Sequence, residues 1–404
     1  MDESSMMSRR TFVGLVMTTP LLARAVNYSG RREHVVVVGA GAFGGWTALA
    51  LLRAGMRVTL IDAWGAGHTR ASSGGETRVI RASYGGVAAY SQMVARALVL
   101  WREAEREWGR QVLFRCGALW LCAGDDGYVR RSIAPMKAVG LSMDELSPAD
   151  AARRFPQMSF SAARTVFFEP DAGFLTARAA CELVRESFVR AGGEYLQAWV
   201  RPGATAGARM SNITLSNGGS LNADRFVFAC GPWLGQVFPD VLGRRIVATR
   251  QEVFFFATPP GDARYDAPAQ PVWVHMGERL VYGLPNHERR GLKIADDTAG
   301  EEVDPTTMER VPSAAGLTRA RTILRERFPA LQDAPLLEAR VCQYEASSDG
   351  HFLLDRHPQF ENVWLAGGGS GHGFKMGPAL GEHVAALVMG SAHALPIFGY
   401  RRLQ

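Results

Sequence analysis

The hydrophobic positions of the first hundred residues form an alternation of strand-like and helix-like runs. His34–Val38 ends in four consecutive valines, a run typical of a strand that is buried on both faces of a parallel sheet. A glycine-rich loop, an Ala- and Leu-rich helix to Arg53 and a second apolar run, Met56–Ile61, follow it, and a long amphipathic helix is predicted between Tyr90 and Trp108. This order of elements predicts a Rossmann-type α/β domain.

The loop between the first strand and the first helix has the glycine spacing of a dinucleotide site. Gly39 permits a tight turn, Gly41 lets the backbone approach a pyrophosphate, and Gly44 lets the helix lie close to the strand. Asp62, after the second apolar run, is placed to accept hydrogen bonds from ribose hydroxyls. We predict a dinucleotide site here rather than a glycine-rich turn without a ligand. The motif does not say which dinucleotide, so a nicotinamide dehydrogenase stays open.

The α/β pattern is interrupted and then resumed along the rest of the chain. Short strand-like runs such as Ala118–Cys122 follow the long helix, and a helix from Thr176 to Ala191 and the strand-like run Arg225–Ala229 restore the alternation. Residues 246–294 are rich in short β-prone runs, which we interpret as an antiparallel substrate-binding lobe.

A thiol and a second glycine loop stand close together near the C-terminal end. Cys342 lies in the short β-prone run Ala339–Tyr344, and Gly367–Lys375 contains a glycine loop that opens a helix. A thiolate is a good nucleophile toward an electron-poor flavin, and a glycine loop can cradle the ring. The pair predicts a flavin tethered through Cys342, against the alternative of a buried structural cysteine.

Composition and charge narrow the class of protein. With 404 residues, 47% hydrophobic and 21% charged, the chain is long enough for two sizeable cores or two interleaved lobes. The net charge of +6 is modest and the arginines are scattered, so nucleic acid is not an expected partner. Five cysteines without a Cys-x-x-Cys pair indicate neither a zinc site nor a disulfide framework, and Cys116 and Cys122 are either a pair or core thiols.

The first 25 residues have the pattern of an export signal. Arg9 and Arg10 precede a weakly apolar stretch to Leu22, and small residues follow at Ala23 and Ala25, which resembles a twin-arginine signal peptide. The stretch is too short and too polar for a permanent membrane span. We therefore expect the twin-arginine translocase as a partner, a periplasmic or secreted protein and a cofactor that is bound before export. A frayed tail with a chance arginine pair is the alternative.

Several segments match a known family in their order and spacing. They are Gly39–Gly44 with Asp62, Gly75–Arg81, Phe168–Gly173, Tyr282–Pro285, Gly291–Lys293, Val341–Tyr344 and Gly369–Lys375. From about Val35 to Met389 the chain thus resembles the monomeric sarcosine oxidase and N-methyltryptophan oxidase family, a branch of the D-amino-acid-oxidase-like FAD-dependent oxidoreductases. The resemblance implies an α/β fold in which a discontinuous Rossmann-type FAD-binding domain (residues 31–112, 172–244 and 342–392) is interleaved with an antiparallel-sheet substrate domain (residues 113–171 and 245–341).

The resemblance implies roles for residues around the cofactor. FAD would be joined through the 8α-methyl carbon of its ring to Cys342, with Gly369, Gly371 and Gly373 in the flavin loop. Lys293 matches the family's lysine beside the flavin, whose ammonium stabilises the negative charge that develops as O2 accepts electrons. As an isolated residue it would be an ordinary solvated lysine, but it is one of only a few lysines in the chain.

The same resemblance implies a binding site for a substrate carboxylate. Arg81 and Lys375 match the two cations that hold it, although as isolated residues they fit a solvated surface. Arg78, one helical turn before Arg81, would lie against the flavin ring. Tyr282 and Tyr344 match aromatic residues that line the substrate site, and as isolated residues they fit core strand positions equally well.

Two departures from the family pattern change the expected substrate. In the run that follows Lys293, Asp297 stands where the family has a histidine close to the substrate, and Ser72–Gly75 replaces a second histidine near the flavin. A carboxylate at Asp297 would attract a cationic or polyhydroxylated substituent, so we predict an amine that is larger or more basic than sarcosine. The alternative is that Asp297 only caps a turn.

These observations predict an exported FAD-dependent oxidase of amines or amino acids whose substrate bears a carboxylate. It would take a hydride equivalent from the carbon beside a neutral amine nitrogen, the imine would hydrolyse, and O2 would reoxidise the flavin to give hydrogen peroxide. Two other classes stay open: a flavin-dependent amine dehydrogenase that passes electrons to another acceptor, and a non-catalytic flavoprotein.

Overall fold

The strands and helices follow the predicted alternation at the N-terminal end and depart from it in the centre of the chain. The computed structural model describes residues 32–298 and 300–404, so the predicted export signal over residues 1–25 lies outside the described residues. The helices are α1 Ala42–Arg53, α2 Ala88–Trp108, α3 Gly127–Ala138, α4 Pro148–Arg154, α5 Ala177–Arg190, α6 Leu234–Val237, α7 Ala314–Arg327 and α8 Gly377–Met389. The strands are β1 His34–Val38, β2 Arg57–Asp62, β3 Thr77–Ile80, β4 Leu113–Phe114, β5 Ala118–Cys122, β6 Asp144–Leu146, β7 Thr165–Glu169, β8 Gly173–Thr176, β9 Glu194–Gln197, β10 Val200–Pro202, β11 Thr205–Ala206, β12 Arg209–Met210, β13 Asn212–Leu215, β14 Ser220–Asn222, β15 Arg225–Phe228, β16 Ile246–Phe256, β17 Val272–Met276, β18 Leu280–Leu284, β19 Leu292–Asp296, β20 Leu336–Ser347, β21 Leu353–Arg356 and β22 Val363–Gly367.

The four-valine run lies in β1, inside a six-stranded sheet. The strand order is β21-β22-β15-β1-β2-β9, and every pairing is parallel except that of β21 with β22. Val35 and Val37 pack into one hydrophobic core, to which α1, α2 and α8 contribute, and Val36 and Val38 pack into another. Both faces of β1 are therefore buried, which explains why the run has no polar alternation.

A second sheet has eight strands in the order β20-β16-β19-β18-β17-β5-β7-β6. Its pairings are antiparallel except that β5 and β17 run parallel to each other. The lobe that the sequence predicts as antiparallel is therefore a mixed sheet with one parallel pair. Leu119 of β5 and Trp273 of β17 pack in one core with Leu324 of α7.

The long strands β16 and β20 pair along nearly their whole length, with Ile246 opposite Ser347 and Gln251 opposite Cys342. The sequence predicts only short runs here, and that prediction is wrong because polar side chains interrupt the apolar pattern. Gln343 and Glu345, for example, are buried on one face of β20. β20 also crosses the predicted domain boundary before Cys342. The C-terminal part of this strand contacts the glycine loop that follows β22, where the backbone N–H of Ser370 donates to the carbonyl oxygen of Glu345. The domain assignment itself stays a prediction.

The predicted fold class, an α/β protein with a Rossmann-type sheet and an interleaved second sheet, is confirmed. Within the described residues, no helix is both long and apolar enough to cross a membrane. In the same part of the chain, no three His, Cys, Asp or Glu side chains are grouped so that they could hold a metal ion. The five cysteines are free, so Cys116 and Cys122 do not form a pair.

Candidate active site

A cavity of about 670 Å³ is lined by the glycine loops that follow β1 and β22. At Gly39 (φ +104°) an added Cβ would lie 2.2 Å from the carbonyl oxygen of Ala229, and at Gly44 it would lie 1.9 Å from the carbonyl oxygen of Gly39. Both positions therefore require glycine. Helix α1 begins at Ala42 without a side-chain cap from Gly41 and without an acidic residue in its first turn, so the positive end of its dipole favours an anion beside it.

Asp62 lines the same cavity at the end of β2, but its carboxylate is already engaged. One oxygen accepts a hydrogen bond from the backbone N–H of Ala40 at 2.8 Å, and the other accepts from those of Trp64 at 2.9 Å and Gly65 at 3.0 Å. In the structure Asp62 thus fixes the two turns that flank the cavity. Its contact with ribose hydroxyls stays a prediction.

Three tryptophans form an aromatic cluster on the wall of this cavity. The ring centroid of Trp64 lies 4.6 Å from that of Trp199 and 4.7 Å from that of Trp233. The three rings follow β2, β9 and β15, so no local spacing in the sequence connects them. Such rings offer flat apolar surface on which an aromatic base can stack.

The second glycine loop places Gly369, Gly371 and Gly373 in the wall of the cavity. At Gly371 (φ +77°) an added Cβ would lie 2.7 Å from the ring of Tyr344, and at Gly373 it would lie 2.7 Å from the ring of Phe43. The loop is therefore a cradle that side chains would fill. Together with the α1 N-terminus and a volume within the usual range of cofactor pockets, these glycines fit a bound dinucleotide such as FAD.

A smaller cavity of about 280 Å³ shares Arg78 and Tyr344 with the first and is also lined by Cys342, Lys293 and Tyr282. The Nη2 atom of Arg78 lies 3.5 Å from Sγ of Cys342, so a positive charge stands beside this sulfur. Three residues to which the sequence assigns roles around a flavin, Arg78, Lys293 and Cys342, are thus brought together around one small space. Tyr282, which the sequence assigns to the substrate site, lines the same space.

Lys293, on β19, is 2% exposed, and its Nζ donates a hydrogen bond to the carbonyl oxygen of Thr77 at 3.1 Å. Burial, followed by the charge of Arg78, lowers the pKa of this ammonium to about 7. The prediction of a site lysine rather than a solvated one agrees with this burial. The chain has two other lysines: Lys375 is also buried, and Lys137 is exposed on α3.

The two cations that the sequence assigns to a substrate carboxylate meet at Tyr84. Nζ of Lys375, which is 4% exposed, donates to the Tyr84 hydroxyl at 2.9 Å and to the carbonyl oxygen of His372 at 2.8 Å. The guanidinium carbon of Arg81 lies 4.6 Å from the centroid of the Tyr84 ring. Burial, and then the charge of Arg81, lower the pKa of Lys375, as expected for two cations that share one buried region.

Asp297 follows β19 and accepts a hydrogen bond from the Tyr344 hydroxyl at 2.6 Å. Burial raises the pKa of this carboxyl, while the Tyr344 bond and the charges of Arg81 and Lys375 oppose the rise. Asp297 therefore lies within electrostatic reach of both cations. Among the described residues, Asp296 caps this turn by accepting from the backbone N–H of Thr298, whereas Asp297 contacts Tyr344.

Arg78 and Arg81 are not related by a helical turn, and that expectation is wrong. Arg78 lies in β3, which pairs with β8, and Arg81 follows the end of this strand. Two β-branched residues between them favour a strand, in which side chains alternate between faces. The two guanidiniums are therefore separated: that of Arg78 contacts Cys342, and that of Arg81 lies over the rings of Tyr84 and Trp120.

Glu169, on β7, supports this site although no role for it was predicted from the sequence. It is 1% exposed and accepts hydrogen bonds from the backbone N–H of Ala82 and the hydroxyl of Ser83. Burial raises the pKa of its carboxyl. Because it fixes the backbone next to Arg81, Glu169 positions that guanidinium. The sequence signal that could have identified it is an acidic residue at the end of a strand that carries two phenylalanines.

A Rossmann-type sheet with a cavity lined by glycine loops is the architecture of a protein that binds a dinucleotide cofactor. Comparison with known families makes the assignment specific. Residues 34–387 match the model of the family described as FAD dependent oxidoreductase, and the chain belongs to this family.

Curated relatives and solved structures agree with this family. The monomeric sarcosine oxidase of a Bacillus species is 29% identical over 374 residues, which are 91% of this chain and 95% of the relative. The N-methyl-L-tryptophan oxidase of Salmonella heidelberg is 27% identical over 391 residues, which are 92% of this chain and 98% of the relative. A modified fructosyl peptide oxidase from Aspergillus nidulans superposes with a TM-score of 0.80 at 18% identity, covering 91% of this chain and 93% of that one, which shows a shared fold. The predicted family and enzyme class, an FAD-dependent oxidoreductase, are thereby confirmed.

Proposed function

We propose that this protein is an FAD-dependent oxidase of amines or amino acids that releases hydrogen peroxide, and that its best substrate is larger or more basic than sarcosine. The observation that carries the proposal is the cluster of Arg81, Lys375 and Asp297, in which Lys375 is buried and the other two residues are half-buried. Tyr344 connects this cluster to the cavities, because it donates to Asp297 and lines both of them. Two cations suit a substrate carboxylate, and the added carboxylate suits a second, hydrogen-bond-donating group.

Each member of the cluster then has its own task in binding. Arg81 offers a planar fork and Lys375 a point charge to the substrate carboxylate. Asp297, held by Tyr344, accepts from an ammonium or hydroxyl group elsewhere on the substrate. Because burial raises the pKa of Asp297, its negative charge depends on the cations that face it. The cluster therefore selects a molecule that brings an anion and a donor together.

Orientation and electrostatics are the contribution of the chain to the reaction. FAD, when bound, supplies the acceptor for the two electrons of the amine C–H bond. Arg81 and Lys375 fix the carboxylate, so the carbon beside the amine nitrogen is held in one orientation. The ammonium of Lys293, which is 2% exposed, stabilises negative charge that develops when O2 accepts electrons.

A spectroscopic titration tests the proposal. Purified protein is followed anaerobically by its flavin absorption against N-methyl, D-, L- and glycated amino acids, and peroxide is then measured in air. Bleaching by an amine larger than sarcosine, with peroxide release, is the expected result. Bleaching without peroxide would indicate an amine dehydrogenase, and no bleaching at all would indicate a non-catalytic flavoprotein. Sarcosine as the best substrate would contradict the assignment of Asp297.

We also propose that FAD is attached covalently through Cys342. Cys342 lines the smaller cavity beside Arg78, whereas Cys230 lines the larger one. After acid precipitation, the flavin should stay with the pellet of the parent protein and of Cys230→Ser, and it should be released from Cys342→Ser. A colourless pellet from the parent protein would contradict attachment, and a colourless pellet from Cys230→Ser alone would move it to the other thiol.

Export by the twin-arginine translocase to the periplasm or beyond is the last part of the proposal. It rests on the paired Arg9 and Arg10 and on the small residues Ala23 and Ala25. A tethered cofactor suits such a route, because it cannot be lost after export. Replacing both arginines by lysine should keep the protein in the cytoplasm with residues 1–25 uncleaved, as judged by cell fractionation and mass. Unchanged export of this variant would contradict the proposal.

A further inference from the structure

Glu345 is a buried acid that the proposed reaction does not use. It follows Tyr344 on β20 and points to the other face of the strand, where it is 6% exposed and lines the larger cavity. A Cβ added at Gly367, where the second glycine loop begins, would lie 2.3 Å from its Oε1. The backbone N–H of Ser370 in this loop also donates to the Glu345 carbonyl oxygen at 2.7 Å. Glu345 is therefore packed against the loop that cradles the cofactor.

The hydrogen bonds of this carboxyl are incomplete. Its Oε2 accepts one long bond, 3.4 Å, from the backbone N–H of Gly369, and its Oε1 has no partner in the described part of the chain. Burial raises the pKa of Glu345 to about 7, and only the backbone N–H groups of Gly368 and Gly369 oppose the rise, so no nearby cation offsets the charge. An unpartnered buried carboxyl oxygen costs free energy unless a ligand completes its bonding.

Among the described residues, two acids line this cavity, and they differ in how many hydrogen bonds their carboxylate oxygens can still accept. Asp62 already accepts three backbone hydrogen bonds, from the N–H groups of Ala40, Trp64 and Gly65. Glu345 has one whole oxygen free. The thiol of Cys230 is also within electrostatic reach of both acids, and burial raises its pKa, so it is a neutral neighbour. Of the two acids, Glu345 is therefore the one placed to bind something new.

The chemistry of a flavin dinucleotide selects the group that Glu345 meets. The phosphates are anions that a carboxylate repels, the ring faces are apolar surfaces, and each polar atom on the ring edges either only donates or only accepts. The ribityl chain and the ribose carry hydroxyls, which donate to a carboxylate and accept from a carboxylic acid, so they fit either protonation state. We propose that Glu345 binds hydroxyl groups of the sugar portion of FAD and is a cofactor-binding residue of this chain. The inference rests on the proposed flavin cofactor.

The test compares two substitutions of similar size, Glu345→Gln, which keeps hydrogen-bonding capacity, and Glu345→Leu, which removes it. Both are made in full-length Cys342→Ser protein, so that binding is reversible, and dissociation constants are measured after removal of flavin. We expect Glu345→Leu to bind FAD about 10- to 100-fold more weakly and Glu345→Gln within about threefold of the parent. Glu345→Leu should also raise the Tm of the cofactor-free protein, because it removes an unpartnered buried acid, and a purely structural residue would lower it.

Ligand fragments separate the two sources of hydroxyls. If the ribityl chain is bound, Glu345→Leu weakens riboflavin 5′-phosphate and leaves ADP unchanged, and if the ribose is bound the reverse holds. Unchanged binding of FAD by Glu345→Leu would overturn the inference while leaving the oxidase proposal intact, provided that the parent is bleached by an amine. A parent protein that binds no flavin would overturn both.

Discussion

Lys293 shows how burial changes the properties of an ordinary residue. At 2% exposure, with Arg78 nearby, its pKa is lowered to about 7, so the protein carries the cost of a desolvated lysine where a methionine would pack without penalty. The retained ammonium is explained if it stabilises developing negative charge. A cation at this position is then needed in the half-reaction with O2, and not for reduction by the amine.

Lys293→Met should slow flavin reoxidation by O2 by about 10²- to 10³-fold, since one preorganised electrostatic contact is lost. Reduction by the amine should change much less. Stopped-flow absorbance of the two half-reactions measures both rates. Lys137→Met is the matched control, because Lys137 is exposed on α3, and it should behave as the parent protein does. Reoxidation of Lys293→Met at the parental rate would exclude the assigned role.

Asp297→Asn is expected to change substrate preference. It removes the negative charge near Arg81 and Lys375 while keeping a group that can contact Tyr344. For the best substrate of the amine panel, kcat/KM should fall by about 10- to 100-fold, and for sarcosine it should stay the same or rise. Asp296→Asn, one residue earlier and paired with the half-exposed Arg279, is the control. Equal losses for all amines would show that Asp297 has no part in selection.

At the scale of the elements, the position of helix α1 depends on a single glycine, Gly44. A Cβ at residue 44 would lie 1.9 Å from the carbonyl oxygen of Gly39, so Gly44→Ala must move the helix away from β1. The N-terminus of α1 would then be displaced from the cavity, where the positive end of the helix dipole favours a bound anion. We expect the flavin content per protein to fall at least about tenfold, with about 1–3 kcal/mol lost in the free energy of unfolding. Gly124→Ala, in an open loop with no atom within 4 Å of the added methyl group, should retain both.

Elements whose pattern is local were predictable from the sequence. β1, α1 and β2 follow from four valines, three glycines and a terminal acid, and their predicted and observed bounds agree within a residue or two. The full lengths of β16 and β20 were not predictable, because each strand buries polar side chains. These side chains are accommodated only once the two strands pair in the sheet. The predicted helical turn between Arg78 and Arg81 failed for a related reason, since β3 is defined by its pairing with β8.

The candidate site divides in the same way. The glycine loops, Cys342 and Lys293 stand in segments that can be recognised along the chain, and the structure brings them to two adjoining cavities. Glu169 and the cluster around Trp64 could not be foreseen, because their roles depend on contacts between residues far apart in sequence. An acidic residue at the end of an apolar strand was the one local sign for Glu169. Glu345 lacks even this sign, because its strand carries several other polar residues.

The molecule as a whole buries acids and bases whose effects on stability oppose each other. Burial raises the pKa of Glu169, Asp297 and Glu345, so these acids favour the folded state at low pH. It lowers the pKa of Lys293 and Lys375, so these bases favour the folded state at high pH. The opposing effects of these acids and bases partly cancel in the pH dependence of the unfolding free energy. The contribution of a single group is therefore measured by comparing a variant with the parent protein.

Glu345→Gln isolates one of these groups in the cofactor-free protein. The Glu345 pKa rises from 4.5 to about 7 on folding, so its favourable contribution is complete below about pH 4.5 and is lost as the pH rises through 7. The difference in Tm between the variant and the parent should therefore shift in favour of the variant as the pH rises from 5 to 8. The corresponding change in the free energy of unfolding is at most about 3 kcal/mol. Glu107→Gln, at an exposed ion pair, should show no such trend in the same thermal scans. A pH-independent difference for Glu345→Gln would contradict the assigned shift.

The scarcity of lysine has a practical consequence for handling the protein. Since two of the three lysines are buried at the site, an amine-reactive ester meets a single accessible lysine side chain, Lys137. Among the side chains, a dye, a biotin or an electrode surface coupled by this chemistry would therefore attach only through α3, without consuming either of the buried ammonium groups. Once the α-amino group is blocked, a uniformly oriented layer of enzyme could be made from this chain without any engineered tag.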